Sequence, residues 1–271
     1  MPSNLLEDET RDVFGRALEA TEGDVYLMDP SATVLRALVR YGAAAESLPT
    51  VNVVARQGLL KDVMDDFLVA ADAADLIADG KLTLRELDQQ VDNTLLVTQE
   101  ALYAIVTATD AAGALASDDA GFIGEAYETY AQVWEDSAEF NLRTPPLSRV
   151  RTTLSDDVGE DVRADFDTVL ESLETARGNG DGLDEVTISL LVAAKNEALL
   201  YDISKWGEDV GIASKATFSR TKTRLEDIGI IDTEKVPIDV GRPRLRLKFG
   251  DERLRDADSS ELASVAQSII G

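Results

Sequence analysis

Neither cysteine nor histidine occurs anywhere in the 271 residues. The first absence removes thiol chemistry and the second removes His-based general acid–base work; together they remove nearly all zinc and transition-metal chemistry. Long apolar runs are missing as well. None approaches the ~20 residues that span a bilayer, and the N-terminus lacks a basic segment followed by an apolar one. The expectation is a soluble, cytoplasmic protein with no membrane partner, no metal and no cofactor.

Lysine is scarce, eight residues against eighteen arginines, and the 26 basic residues face 52 acidic ones, a net charge of -26. The acid is spread over segments such as 59–78 and 155–177 and is not gathered into one tail. That spread favours adaptation of the whole surface to molar intracellular salt over an acidic partner-binding patch. Apolar residues make up 44% and run along the full length, which suits two domains with separate cores.

Charge is nonetheless uneven. Residues 182–256 carry 13 basic and 14 acidic side chains, so nearly all the excess acid lies elsewhere, and residues 211–249 are net +4. One positive stretch kept in an acidic chain points to a polyanion-binding face.

The first 145 residues read as an α/β (α+β) domain with a mixed sheet and helices, serving as a sensor. A helix is expected over 5–20, with Val13, Phe14, Ala17 and Leu18 apolar. A strand follows at 24–28, then a helix through Val34, Leu35, Leu38 and Tyr41, a strand at 51–55, and one amphipathic helix over 59–76. Further strands are expected at 81–84, 93–97 and 102–107, with parallel order for the first two strands only. From Asp118 a helix runs through Phe122, Tyr130 and Trp134 until Thr144-Pro145-Pro146 stops it.

Asp29 and Ser31 follow the first strand and Arg56 the second, the positions where open α/β sheets bind ligands, here a small metabolite effector. The plainer alternative is a turn in which Ser31 caps a helix. There is no G-x-x-x-x-G-K-[ST], no G-x-G-x-x-G, and no pairing legible among scattered carboxylates, so no catalytic residue is assigned and no enzyme is expected.

Residues 146–181 read as a connecting or dimerisation helix and a linker. The helix spans 155–177, capped by Ser155, with Asp156 and Asp157 in its first turn and Arg177 in its last; Gly178–Gly182 is the linker. A last amphipathic helix, 259–270 within the segment 257–271, carries Leu262, Val265, Ala266 and Ile269. Neither helix has an obvious home, which motivates a homodimer.

Residues 182–256 carry the sharpest signal, a winged helix-turn-helix. Asp184 caps a helix through Ile188, Leu191 and Val192, a second helix follows over 199–210, and Gly211-Ile-Ala-Ser214 turns into a third over 215–228 that Gly229 ends. On the third, Phe218, Leu225 and Ile228 fall on one side while Ser219, Arg220, Thr223 and Arg224 look outward. Ser214, Lys215, Thr217 and Lys222 complete the proposed DNA contacts on this helix. Lys222 falls four residues after Phe218, where an apolar residue is usual, so its stem can lie along the core. Residues 244–248 then alternate Arg, Leu, Arg, Leu, Lys, a strand with one basic face. With Gly241 and Pro243 shaping the tip, Arg242 and Arg244 make the wing a second DNA contact.

The runs Gly211-Ile-Ala-Ser-Lys-Ala-Thr-Phe-Ser-Arg220, Arg224-Leu-Glu-Asp-Ile-Gly-Ile-Ile231 and Gly241-Arg-Pro-Arg244 resemble the recognition helix and wing of archaeal winged helix-turn-helix regulators. The whole chain resembles the TbsP family of haloarchaeal regulators. That resemblance implies binding to double-stranded DNA at promoters of metabolic, gluconeogenic or sugar-responsive genes, a metabolic input through the N-terminal domain, and partnership with a TrmB-type regulator. The N-terminal part is also similar to the phospholipase-D-like sensor of such regulators, but that chemistry needs paired His motifs, so any inheritance is of fold alone. The alternative is a ligand-sensing or protein-interaction adaptor that acts at promoters without reading bases.

Overall fold

The computed structural model describes residues 4–19, 21–87, 93–108, 111–177, 183–239 and 243–270. The chain forms two compact units, Met1–Asp65 with Val69–Leu142, and Arg143–Gly271 with Asp66–Leu68.

In the first unit the elements run β1 (Leu5–Glu7), α1 (Thr10–Leu18), β2 (Val25–Met28), α2 (Ala32–Ala44), β3 (Val51–Ala55), α3 (Gln57–Met64), α4 (Phe67–Ala78), β4 (Leu82–Glu86), β5 (Leu95–Val97), β6 (Leu102–Thr107), β7 (Ala112–Ser117), α5 (Ala120–Asp136) and β8 (Ala138–Glu139). Their strands form one mixed sheet ordered β1-β7-β6-β5-β2-β3-β4-β8. At its centre β2 and β3 are buried on both faces, which is why each reads as a continuous apolar run. One face packs on Phe14, Leu35, Leu38, Leu60 and Ala70 of α1 to α4. The other receives α5, whose Ile123 and Ala126 meet Tyr26, Met28, Val54 and Val97.

Four expectations are corrected here, and an unexpected strand is added. Leu5–Glu7 is a strand and not the start of a helix, because Leu5 pairs with Ala114 far along the chain. The span 59–76 is two helices; Asp66 accepts the Leu68 N–H at 3.2 Å and starts a new one. Parallel pairing extends to three strands, since β4 joins β3 as β3 joins β2. β7 was not foreseen, because Ala-Gly-Ala-Leu-Ala-Ser lacks the β-branched and aromatic residues that mark strands. Finally, α5 ends at Asp136, before the prolines, as residues 138–139 leave it to pair with β4.

The second unit contains α6 (Leu147–Asp157), α7 (Glu160–Glu171), α8 (Glu185–Lys195), α9 (Leu200–Val210), α10 (Lys215–Asp227), β9 (Ile231–Val236), β10 (Arg244–Phe249), α11 (Glu252–Asp256) and α12 (Leu262–Ile270). The single helix expected over 155–177 is broken by Gly159, whose φ of +150° with an extended ψ is a glycine conformation. Ser155 therefore lies inside α6 and is no cap, Asp156 and Asp157 close that helix, and Arg177 lies beyond the end of α7. Gly178–Gly182 falls outside the described residues.

Val150, Leu154, Val162, Phe166, Val169 and Leu170 of the α6–α7 pair are buried, as are Leu262, Ala263 and Ala266 of α12. α6 packs on α9 and α7 on α8, and Trp206 donates its indole N–H to the Thr153 hydroxyl at 2.9 Å. Both amphipathic helices thus have partners within their own chain, and unfilled apolar faces on them no longer argue for a dimer.

Candidate nucleic-acid interface

The helix-turn-helix is built from α8, α9 and α10. Asp184 caps α8 by accepting the Thr187 N–H at 2.7 Å. α9 ends at Gly211, whose φ of +99° sets the left-handed conformation that turns the chain. Ser214 then caps α10 by accepting the Thr217 N–H at 3.2 Å. The two helices approach at Gly207, where an added Cβ would sit 2.3 Å from the Phe218 ring. Only hydrogen fits there. Phe218 and Leu225 fill the core beneath α10, while Ile228 at its C-cap is exposed, contrary to its expected inward position.

β9 and β10 form the antiparallel wing, with Arg244 opposite Val236 and Phe249 opposite Ile231. A bridge from Leu199 to Arg246 ties the start of α9 to this ribbon. Leu247 is fully buried on one face, and Arg244, Arg246 and Lys248 share the other.

The proposed contact residues separate by exposure. Ser219, Arg220 and Thr223 stand on the open face of α10. The Arg220 guanidinium reaches the Thr217 hydroxyl at 3.3 Å, and Thr223 donates to the Ser219 carbonyl at 3.0 Å. Lys215 is exposed but paired with Glu208 at 2.8 Å, an interaction that raises its pKa and lowers that of Glu208. Arg224 is exposed and donates to the Thr187 hydroxyl at 3.3 Å.

Lys222 is buried, its ammonium 2.7 Å from the Glu226 carboxylate, and so is turned away from the open face. On the wing, Arg244 lies over the Tyr201 ring at 4.2 Å and pairs with Asp202 at 3.3 Å. Lys248 pairs with Glu234 at 2.6 Å. Arg242 lies outside the described residues. Two cations not singled out from sequence belong to the same region: Lys235, exposed on β9, and half-buried Arg246 on β10. Strand alternation marks Arg246, which shares the face of Arg244 and Lys248, but not Lys235, which pairs with Leu245 on the other face.

In the first unit the carboxyl ends of β2 and β3 bring Asp29 and Arg56 together at 3.1 Å. Asp29 adopts φ +39°, a conformation that Asp tolerates better than most residues, and its carbonyl accepts the Thr94 hydroxyl at 2.9 Å. Gln57 donates to Glu86 at 2.9 Å beside them. Ser31 accepts the Val34 N–H at 3.3 Å, which is the capping alternative for that residue. A separate cavity of about 470 Å³ in this unit is lined by Asp8, Glu9, Thr10, Arg11, Thr33, Arg36, Arg40 and Thr107, with Arg11 paired to Glu9 at 3.1 Å and Arg36 to Asp62 at 3.4 Å. Three arginines around one cavity were not legible in the sequence. They come from α1 and α2, which only the fold brings side by side.

Among the described residues no group of Asp and Glu side chains could hold a metal ion, and no helix is long and apolar enough to cross a membrane.

Family models match almost the whole length. Residues 2–145 match the N-terminal model of TbsP-like transcriptional regulators, and residues 146–267 match the C-terminal HTH-domain model of the same group. A solved structure, described as TrmBL2, an archaeal chromatin protein with a novel mode of DNA binding, is 17% identical with a TM-score of 0.34. The alignment covers 51% of this chain and 54% of that one, so the chain spans about half of its length. No curated protein sequence matches the chain significantly.

Proposed function

The chain belongs to the TbsP-like family of transcriptional regulators and carries its HTH domain, and from that membership we propose that it reads promoter DNA with α10 and the β9–β10 wing. One observation carries the reading: Ser219, Arg220 and Thr223 stand together on the open face of a helix whose other side is locked into the core by Phe218 and Leu225. Hydroxyls and a guanidinium on such a face match the donor and acceptor pattern of base edges in the major groove.

The same reading places the protein in the cytoplasm of a halophilic archaeon as a two-fold dimer that controls sugar-responsive metabolic genes together with a TrmB-type regulator. The dispersed acid, net -26, supports the halophilic part, and the resemblance to haloarchaeal regulators supports the metabolic part. A gel shift with promoter fragments recovered by genome-wide occupancy tests it. Arg220→Ala should weaken binding, and unchanged affinity would remove α10 as the reading helix.

A sensing role for the first unit is favoured by the arginine-lined cavity and by the Asp29–Arg56 pair at the sheet edge. Both suit a small anionic metabolite. A thermal-shift screen with sugar phosphates and central carboxylates tests this second reading, and no shift with any of them would leave the unit a scaffold.

A further inference from the structure

The second face of the eight-stranded sheet is covered over only part of its width. α5 packs on β5, β2 and β3, and the neighbouring strands β6, β7 and β1 lie beyond it. On the side of these three strands turned away from the α1–α4 core, the most exposed residues are apolar: Leu6 is 80% exposed, Leu115 59% and Val106 56%, while Leu102 is buried nearer α5 and Ser117 is the one hydroxyl among them. An antiparallel sheet that faces water normally carries polar residues on its wet side.

The register shows how these side chains are arranged. Leu6 and Val106 pair with Gly113 from its two sides, and Leu115 pairs with Ala104. Large apolar side chains therefore alternate with near-absent ones across three strands. Neither β6 nor β7 contains a charged residue, although such residues make up 29% of the chain. Phe122, in the first turn of α5 five residues after the end of β7, is a further exposed apolar side chain at 53%.

We propose that this bare half-sheet is the surface on which two copies of the chain associate, face to face about a two-fold axis. The proposal rests on the dimeric part of the function proposed above and gives that dimer its interface. A two-fold contact requires a patch that complements itself. Here the leucines of one copy can seat over Gly113 and Ala104 of the other, which a smooth apolar surface would not offer. Charge points to the same occupant. Two chains of net -26 repel wherever their acidic surfaces meet, and this neutral face is where they approach at least cost. A partner chosen by opposite charge would find nothing on the patch to pair with. Two sheet faces stacked in this way lie about 10 Å apart.

Sedimentation equilibrium of the full chain in high and low KCl tests the interface. The wild type should be dimeric at micromolar concentration, more firmly so in high salt, where repulsion is screened. The double variant Val106→Glu with Leu115→Glu should raise the dissociation constant roughly 100-fold. Ile238→Glu, at an exposed apolar site in the other unit, should leave it unchanged. Matching circular dichroism melts establish that the glutamate variant is folded; if it is not, the milder pair Val106→Thr with Leu115→Ser takes its place and should weaken the dimer in the same direction.

A monomeric wild type at high micromolar concentration, or a folded variant that dimerises as tightly as the wild type, overturns the proposal. The DNA-reading proposal fails or stands separately: Arg220→Ala should lower promoter affinity while the mass remains that of a dimer.

Discussion

The Lys222 ammonium lies 2.7 Å from the Glu226 carboxylate one turn further along α10, and the lysine stem is buried beside Phe218 and Leu225. The other Glu226 oxygen accepts the Thr233 hydroxyl at 2.9 Å, so a single carboxylate joins α10 to the first strand of the wing. A lysine in a basic stretch is here a structural residue.

Glu226→Ala should accordingly destabilise the protein, because it leaves a mostly buried ammonium unpaired and a hydroxyl without its acceptor; a cost of about 1–3 kcal/mol is expected in urea unfolding. Lys222→Met keeps the volume and removes the charge, so its stability should change by less and its promoter affinity should stay close to that of the wild type. A loss of affinity in Lys222→Met as large as in Arg220→Ala would show that the ammonium reaches DNA after all.

Gly207→Ala tests the approach of α9 to α10. The added methyl would lie 2.3 Å from Cε2 and 2.4 Å from Cζ of Phe218, a ring that is fully buried and cannot swing aside. Overpacking of this kind costs about 1–3 kcal/mol, even though alanine is the better helix former. Thermal unfolding of the second unit should shift downward, and a stabilised variant would contradict the packing described.

Tyr26 sits between the sheet and α5, its ring 5.2 Å from that of Tyr127 in an edge-on contact. Burial pushes its pKa up to about 12, and Tyr127, Asp24 and Glu135 add to the effect. The folded value lies above the ordinary value of 10, so the unfolded chain loses this proton first as pH rises. The stabilisation is complete below pH ~10 and is lost as pH climbs through the folded value. Urea midpoints recorded over this range should fall for the wild type and fall less for Tyr26→Phe. Parallel slopes would mean that Tyr26 ionises in the folded protein as freely as in the unfolded one.

The helix-turn-helix was legible because its signals are local. Asp184, Ser214, Gly211 and Gly229 each sit at a helix end and do there what their side chains or backbone freedom dictate. Most failures have one of two causes, a partner distant in sequence or an interruption that periodicity does not feel. Leu5–Glu7 is a strand only because β7 lies beside it. The break at Asp66 leaves the apolar spacing on either side intact, as does the one at Gly159. Arg244 reads as a free cation until α9 places Asp202 and the Tyr201 ring against it.

That redistribution of cations determines how binding should respond to salt. Between residues 211 and 249, Lys222 is buried, Lys215, Arg244 and Lys248 are ion-paired, and Arg224 is held by Thr187. Among the described residues of the stretch, Arg220, Lys235 and Arg246 are the cations with neither a carboxylate partner within 4 Å nor a hydrogen bond to another helix. Each phosphate contact contributes about -0.9 to the slope of log K against log salt, so three give a shallow slope near -3. On the proposed DNA reading, most of the affinity should then come from base edges. Arg220→Ala should cost roughly 5–150-fold on the promoter and relax sequence preference at one position, whereas Lys235→Ala should weaken all sequences alike and flatten the slope by about one contact. Fluorescence anisotropy with promoter and scrambled duplexes across a salt series measures both. A slope several times steeper than three contacts allow would mean that Lys215, Arg244 and Lys248 exchange their carboxylate partners for phosphates on binding.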